Sequence, residues 1–385
     1  MGIGEVLRQI IGKAVMAVKN QEIVNCTAPI QVCAGLPGGV EAAVHAMRKL
    51  YEDKQTQAVL FVDADNALNR LNRNAALHNI QFVCPEISSY IINTYRSPAK
   101  LVVSNTCEEL LSEEGVTQGD TVAMPMYATS LMPLINIRRI GCGEMGAKEI
   151  WYADDGGAGG SLKDVREWWD SLCKEGPLFG YHPKPEKTWL IVKPGLIEEG
   201  KSIFPDVNVT DIGHRYLGSY IGQENGKEHF VNEKVDEWIQ DVEDLAQIAL
   251  REPQLAYSAY VYGLSKRWNY VCRTTPDVSA LMRRLDFTVK EVFVPAILDR
   301  VFSCTEEIHS IFALPCRLGG LSIHKLSETS DLEFEFSQMV TKDLTDAIYN
   351  QDREYTSDHV KISGIKLQGE EQTAFKTREH NLMRP

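Results

Sequence analysis

Between Glu149 and Gly160 the chain runs from an apolar approach, Glu149-Ile150-Trp151, into Tyr152-Ala153-Asp154-Asp155 and then Gly156-Gly157-Ala158-Gly159-Gly160. A short apolar strand, two adjacent carboxylates and a glycine-rich run predict a β-hairpin that displays negative charge at its turn. Neighbouring carboxylates repel, and holding both ionised is costly unless a cation sits between them. Hard divalent cations such as Mg²⁺ favour carboxylate oxygens and keep water and substrate phosphates as their other ligands. An ordinary Asp-rich turn would use the same residues, so the choice depends on what lies upstream.

A chain of 385 residues that is 44% hydrophobic has the length for two or three domains with real cores. No apolar run reaches the length of a membrane span, and the first residues lack the basic and apolar regions of a signal peptide. Nine scattered cysteines with no Cys-x-x-Cys pair predict free thiols in a reducing, intracellular compartment, and nine dispersed histidines predict no zinc site. The formal charge of −13 argues against casual binding of nucleic acid. That charge is uneven. Glu328 to Pro385 carries twelve acidic and seven basic residues, whereas Lys266 to Lys290 carries six basic residues against Asp277 and Asp286. Such a basic strip, with Trp268, Tyr270 and Arg273 interleaved, suits a nucleic-acid groove and equally a solvated helical face.

Taken in order, residues 3–19 have the spacing of an amphipathic helix with Ile3, Val6, Leu7, Ile10, Ile11, Ala14, Val15 and Val18 on one stripe. The loop Ala34-Gly35-Leu36-Pro37-Gly38-Gly39 leads into a helix over 40–51; it can hold an anion at the helix start or act as a plain connector. Ala58-Val59-Leu60-Phe61-Val62 reads as a buried strand that delivers Asp63 to its carboxyl end, the usual place for chemistry in an α/β layer. A helix is expected from Ala67 to Ile80, with Asp65 and Asn66 as its caps. Asp120 is an expected N-cap for the apolar stretch 122–137, which Pro125 should kink. Ser161 and Asp164 form a capping-box-like pair before a helix through Trp168 and Trp169, which read as packing residues rather than base-stacking ones. After the Gly176–Tyr181 turn come Lys187, a strand over 188–192 and one more short strand over 216–222. From 231 to about 300 the pattern is helical, and past Arg317-Leu318-Gly319-Gly320 the remainder reads as polar and acidic, with room for one or two helices and then a loose end.

The order and spacing of these pieces resemble a reverse transcriptase of the non-long-terminal-repeat retrotransposon kind. Val62 through Asn69 resembles the family's first catalytic motif, and Glu114 through Met126 its Gln-Gly-Asp-Pro motif. Tyr152-Ala153-Asp154-Asp155 matches the third, Gly176 to Lys187 resembles the fourth, and Leu217-Gly218 the apolar grip beside the primer. The likeness covers roughly residues 1–330, and four ordered motifs together are far more specific than any one of them. It implies an α+β fold with a right-hand polymerase palm, an antiparallel sheet backed by helices. Its expected divisions are a fingers remnant at 1–57, the palm at 58–223, a helical thumb-like region at 224–330 and an acidic C-terminal tail at 331–385.

It also implies RNA-directed DNA polymerase activity: a nucleotidyltransferase extending a DNA primer on an RNA template with deoxynucleoside triphosphates and two Mg²⁺ ions, clamped about 3.5–4 Å apart. Asp63 and Asp154 would bridge the ions, with Asp155 assisting and the carbonyl of Ala64 completing one shell. Gln118, Gly119 and Tyr152 would lie near the incoming nucleotide, and Lys187 would give a proton to pyrophosphate. The departures are Leu68, where the family has an aromatic ring against a ribose 2′-hydroxyl, Thr121 in place of proline, and glycine at 156 and 157, which weakens a strand interior. Fingers that look cut short imply upstream or partner segments. Two other readings follow: a decayed palm that only binds nucleic acid, and, through Leu68, an RNA-directed RNA polymerase.

Overall fold

The computed structural model describes residues 6–102, 108–117, 119–141, 146–298 and 302–356, the side chains of 138–141 excepted. The chain forms two compact units, one reaching to Leu217 and taking in the segment from Asp343, the other running from Gly218 to Lys342.

The first unit opens with α1 (Val6–Thr27) and α2 (Gly39–Glu52), then β1 (Ala58–Val62), α3 (Ala67–Arg70), α4 (Arg73–Val83) and α5 (Pro85–Tyr95). A small hairpin of β2 (Ala99–Val102) and β3 (Glu109–Ser112) precedes α6 (Ala123–Gly141) and the hairpin strands β4 (Lys148–Tyr152) and β5 (Asp155–Gly160). After α7 (Leu162–Glu175) come β6 (Trp189–Val192), α8 (Ile197–Ile203), β7 (Asn208–Thr210) and β8 (Gly213–Tyr216).

Five of these strands make one sheet in the order β4-β5-β1-β6-β7. It is mixed rather than antiparallel throughout, because β6 and β7 run parallel. All five residues of β1 are buried, since both faces of the sheet are covered. Ala58, Leu60 and Val62 face the cluster that contains Leu162, Val165, Trp168 and Trp169 of α7. Val59 and Phe61 alternate to the other face, as strand geometry requires, and Phe61 stacks on Tyr216 with ring centroids 4.5 Å apart.

Glycine does not weaken β5; it permits it. A Cβ on Gly157 would stand 2.5 Å from Met47 Cε, and one on Gly159 would stand 2.6 Å from Leu50 Cδ2 and 2.9 Å from Val59 Cγ1. Helix α2 therefore lies directly against the strand backbone, and the strand is buried from Gly156 to Gly159.

Several sequence expectations change. The helix foreseen over 67–80 is broken at Leu71, and α4 restarts with Asn72 Oδ1 accepting the Ala75 amide at 3.1 Å. Neither Asp65 nor Asn66 supplies a side-chain cap to α3. The apolar stripe of α1 is not core: Val6, Leu7, Ile10, Ile11 and Val18 are exposed, and the helix is buried chiefly at Ile23, Val24 and Thr27. Pro125 falls in the first turn of α6, where an amide would have no intrahelical partner, so it costs the helix no bond. Residues 216–222 are two strands rather than one, parted at Leu217 and Gly218, which both have positive φ.

The second unit contains β9 (Ser219–Gly222), α9 (Glu224–Ala249), α10 (Pro253–Ala259), α11 (Ser265–Thr274), α12 (Ser279–Thr288), α13 (Val294–Leu298), α14 (Glu306–Phe312) and α15 (Leu326–Asn350). Its own core gathers Phe230, Trp238, Tyr260, Trp268, Met282 and Phe293. The acidic segment from 331, for which one or two helices were expected, is helical to Asn350. The Asp286 carboxylate holds the start of α15 by accepting the Leu326 and Ser327 amides, each at 2.8 Å. From Asp343 onward the segment belongs to the first unit, where Lys49 pairs with Asp346 at 2.7 Å and Gln351 donates to the Glu149 carbonyl at 2.9 Å. Among the described residues no helix is long and apolar enough to cross a membrane.

Candidate active site

Strand β1 ends where the expected chemistry begins. Its antiparallel register with β5 pairs Val62 with Gly156, so the next position sets Asp63 across from Asp155. Beyond β1 a short ladder continues to the segment after α7. The Lys184 amide donates to the Asp63 carbonyl at 2.9 Å, and the Asp65 amide donates to the His182 carbonyl at 2.8 Å. Ala64 bridges Pro183 between those two bonds, so its own carbonyl is left out of the ladder.

The hairpin turn is held from below. Ala153 has φ 54°, a left-handed conformation that costs a residue with a Cβ roughly 1–3 kcal/mol. The buried side chain of Gln31 compensates: its Oε1 accepts the Ala153 amide at 2.9 Å, and its Nε2 donates to the Ala153 carbonyl at 3.0 Å. The backbone around Gln31 also extends the sheet, since Val32 donates to the Trp151 carbonyl at 2.9 Å and Trp151 to that of Ile30 at 2.8 Å. The Tyr181 hydroxyl donates to the Asp154 carbonyl at 2.8 Å. Tyr181 reaches it because Gly180, at φ 78°, closes the preceding turn so tightly that a Cβ there would stand 2.0 Å from the Arg70 carbonyl oxygen.

The three carboxylates act on one another. Burial raises the pKa of Asp154, and Asp63 raises it further. Asp155 keeps contact with solvent, yet the protein packed around it, followed by Asp154 and Asp63, holds its pKa up to about 7. Lys187 is exposed and brings its Nζ to 3.4 Å from Asp63 Oδ2. Below the turn, burial pushes the Cys33 thiol up to about 12, which disfavours the thiolate there. The donors offered at this end of the sheet are carboxylates and one carbonyl, hard oxygens of the kind Mg²⁺ takes. Among the described residues no group of three or more His, Cys, Asp or Glu side chains is arranged to hold a metal ion by itself.

The other expected site residues lie as follows. Tyr152 is half-buried and pairs with Asp155 in the hairpin register. Leu68 is half-buried, and its carbonyl accepts the Val116 amide at 2.8 Å, which ties it to the loop that leads to Gly119. Gly119 is exposed with φ 84°, and Gln118 lies outside the described residues. Asp120 accepts the Val122 amide on Oδ1 at 3.3 Å just ahead of α6, and it is also an anchor. Its buried carboxylate is ion-paired with Arg8 and accepts the Tyr95 hydroxyl at 2.9 Å. Asp65 is likewise a partner for cations, pairing with Arg70 and, at 2.6 Å, with Lys184.

Trp168 and Trp169 are packing residues. Trp168 shares the buried Glu149 carboxylate with Trp151, each indole donating at 3.0 Å, and Trp169 donates to Asp206 at 2.9 Å. In the second unit the basic strip is largely answered by carboxylates. Arg267 pairs with Asp241, Arg273 with Glu333 at 3.0 Å, Arg284 with Asp236 at 2.6 Å and Lys290 with Glu306 at 2.7 Å. Trp268 is core, packed on Trp238 and Tyr260, so it is no stacking platform.

Sequence reasoning missed Gln31 and Tyr181, both buried and bonded to the backbone of the turn. The one available signal was a polar residue inside the apolar run Ile30-Gln31-Val32. A buried amide must find partners, and here they are the turn's own backbone groups. No protein-family model matches the chain, and no curated protein matches it.

Proposed function

We propose that the chain is the polymerising part of a reverse transcriptase, with the five-stranded sheet as its palm. It would extend a DNA primer on an RNA template from deoxynucleoside triphosphates. One observation carries this reading: the β1–β5 register that brings Asp63 up to the Asp154-Asp155 turn, where the three carboxylates repel one another. Charge so placed is costly to the fold alone and is a mark of functional sites.

The carboxylates of Asp63 and Asp154 would hold the cations, with Asp155 assisting and the Ala64 carbonyl as a further oxygen. When bound, paired Mg²⁺ supplies charge that activates the primer 3′-hydroxyl and neutralises the departing pyrophosphate. Lys187, its Nζ 3.4 Å from Asp63 Oδ2, would deliver a proton to pyrophosphate. Gly119, free of a side chain, allows the nucleotide close to the backbone. Leu68 offers no ring against a 2′-hydroxyl, so discrimination against ribonucleotides should be weak.

Primer extension on an RNA template, with Asp154→Ala as control, tests the reading. Loss of one metal-binding carboxylate should cost about 4 kcal/mol of transition-state stabilisation, a ~10³-fold drop in rate. Equal incorporation by both proteins overturns the proposal. Salt-sensitive template binding with no incorporation by either would favour a palm that only binds nucleic acid.

A further inference from the structure

The loop that leads to Gly119 is fastened at both ends by side chains the proposed chemistry does not use. At its start stands Arg73, the first residue of α4 and 5% exposed. Its Nε donates to the Gly115 carbonyl at 3.1 Å and its Nη1 to that of Ser112 at 2.7 Å. Its Nη2 reaches the Glu114 carbonyl at 2.7 Å and Ser112 Oγ at 3.3 Å, and the Arg73 amide donates to Glu114 Oε2 at 3.1 Å. The helix break at Leu71 completes this tie, because the Leu68 and Leu71 carbonyls accept the Val116 and Gly115 amides at 2.8 and 3.0 Å. At the far end the Tyr95 hydroxyl accepts the Thr117 amide at 3.4 Å and donates to Asp120 Oδ2 at 2.9 Å. Both ties meet at the Tyr95 ring, whose centroid lies 5.0 Å from the Arg8 guanidinium carbon and 5.7 Å from that of Arg73. Holding a buried cation on backbone carbonyls carries a desolvation penalty that apolar packing would avoid. What a guanidinium adds is direction, a flat fork of donors that fixes several carbonyls at once.

We propose that Arg73 is a positioning residue for the incoming deoxynucleoside triphosphate. It holds the backbone of 112–117 to that of Leu68, and so sets the gap between the Leu68 side chain and the exposed Gly119 that the nucleotide would enter. The inference rests on reading Leu68 and Gly119 as nucleotide contacts. Arg73 acts through the loop and not on the substrate. A loosened loop should weaken capture of the nucleotide and leave the carboxylates of the hairpin as they were.

The test is steady-state primer extension on an RNA template by wild type, Arg73→Lys, which keeps the charge and loses the fork, and Tyr95→Phe, which keeps the ring and loses the hydroxyl. Active enzyme is titrated with primer–template, so that misfolded molecules do not enter kcat. Arg73→Lys should raise the KM for the deoxynucleotide about tenfold with kcat within about twofold of wild type. Tyr95→Phe should raise KM about threefold. Primer–template affinity, read by fluorescence anisotropy, should stay the same in both. An unchanged KM in Arg73→Lys, or a loss confined to the amount of active enzyme, overturns the role of Arg73 and leaves the polymerase reading standing. Should Arg73→Lys fail to fold, Tyr95→Phe decides: a raised KM supports the inference and an unchanged one overturns it. No incorporation by wild type removes the polymerase reading itself, and this inference with it.

Discussion

The Asp154-Asp155 hairpin and the basic residues between 266 and 290 hold charge in opposite ways. At the hairpin, burial and Asp63 make Asp154 harder to ionise, and burial, Asp154 and Asp63 do the same to Asp155. Along the basic stretch, Arg267, Arg273, Arg284 and Lys290 each find a carboxylate within their own unit. Answered charge belongs to a folded surface. Charge that is gathered with only the exposed Lys187 beside it costs stability, and that cost is what points to a ligand.

The contrast can be broken most forcefully at Gln31. Gln31→Leu keeps the bulk but leaves the buried amide and carbonyl of Ala153 unpaired, at ~1–3 kcal/mol for each unsatisfied group. Chemical denaturation should show a loss of about 2–4 kcal/mol. A loss under about 0.5 kcal/mol would mean that the turn holds its left-handed residue unaided.

A subtler effect comes with pH. Asp155 in the folded chain titrates near 7, far above an ordinary carboxyl near 3.8. Its contribution to stability is therefore complete below about pH 4 and is lost as pH rises through about 7. Metal-free protein should melt at progressively lower temperature across that window, and Mg²⁺ should reverse the fall above it. Asp155→Asn should flatten the profile; an unchanged profile would show that the hairpin charge is screened.

The smallest effect is expected at an answered charge. Arg284→Ala removes an exposed pair with Asp236 and should change stability by no more than about 0.5 kcal/mol. It should also leave the salt dependence of template binding as it was. A slope reduced by about one would show instead that this arginine follows a phosphate backbone.

What could be read in advance was what neighbouring residues encode together. The apolar run 58–62 and the Asp at its end required only local pattern, and the paired carboxylates announced their own turn. The character of β5 was not legible, because what makes glycine fit there is Met47 and Leu50, more than a hundred positions away. The exposed stripe of α1 escaped for a related reason: periodicity shows which face is apolar, not whether anything covers it. Gln31 and Tyr181 are ordinary residues in sequence, and only the bonds they make around one turn give them meaning.

A strand made almost wholly of glycine has no knobs to catch in holes, and so nothing of its own to stop it sliding by one place. Here the slide would carry Asp155 to the sheet's opposite face and leave Asp154 to confront Asp63 in its stead. The amide of Gln31, clasping Ala153 from both sides, is thus the pin of a vernier: it decides which carboxylate is counted off against which.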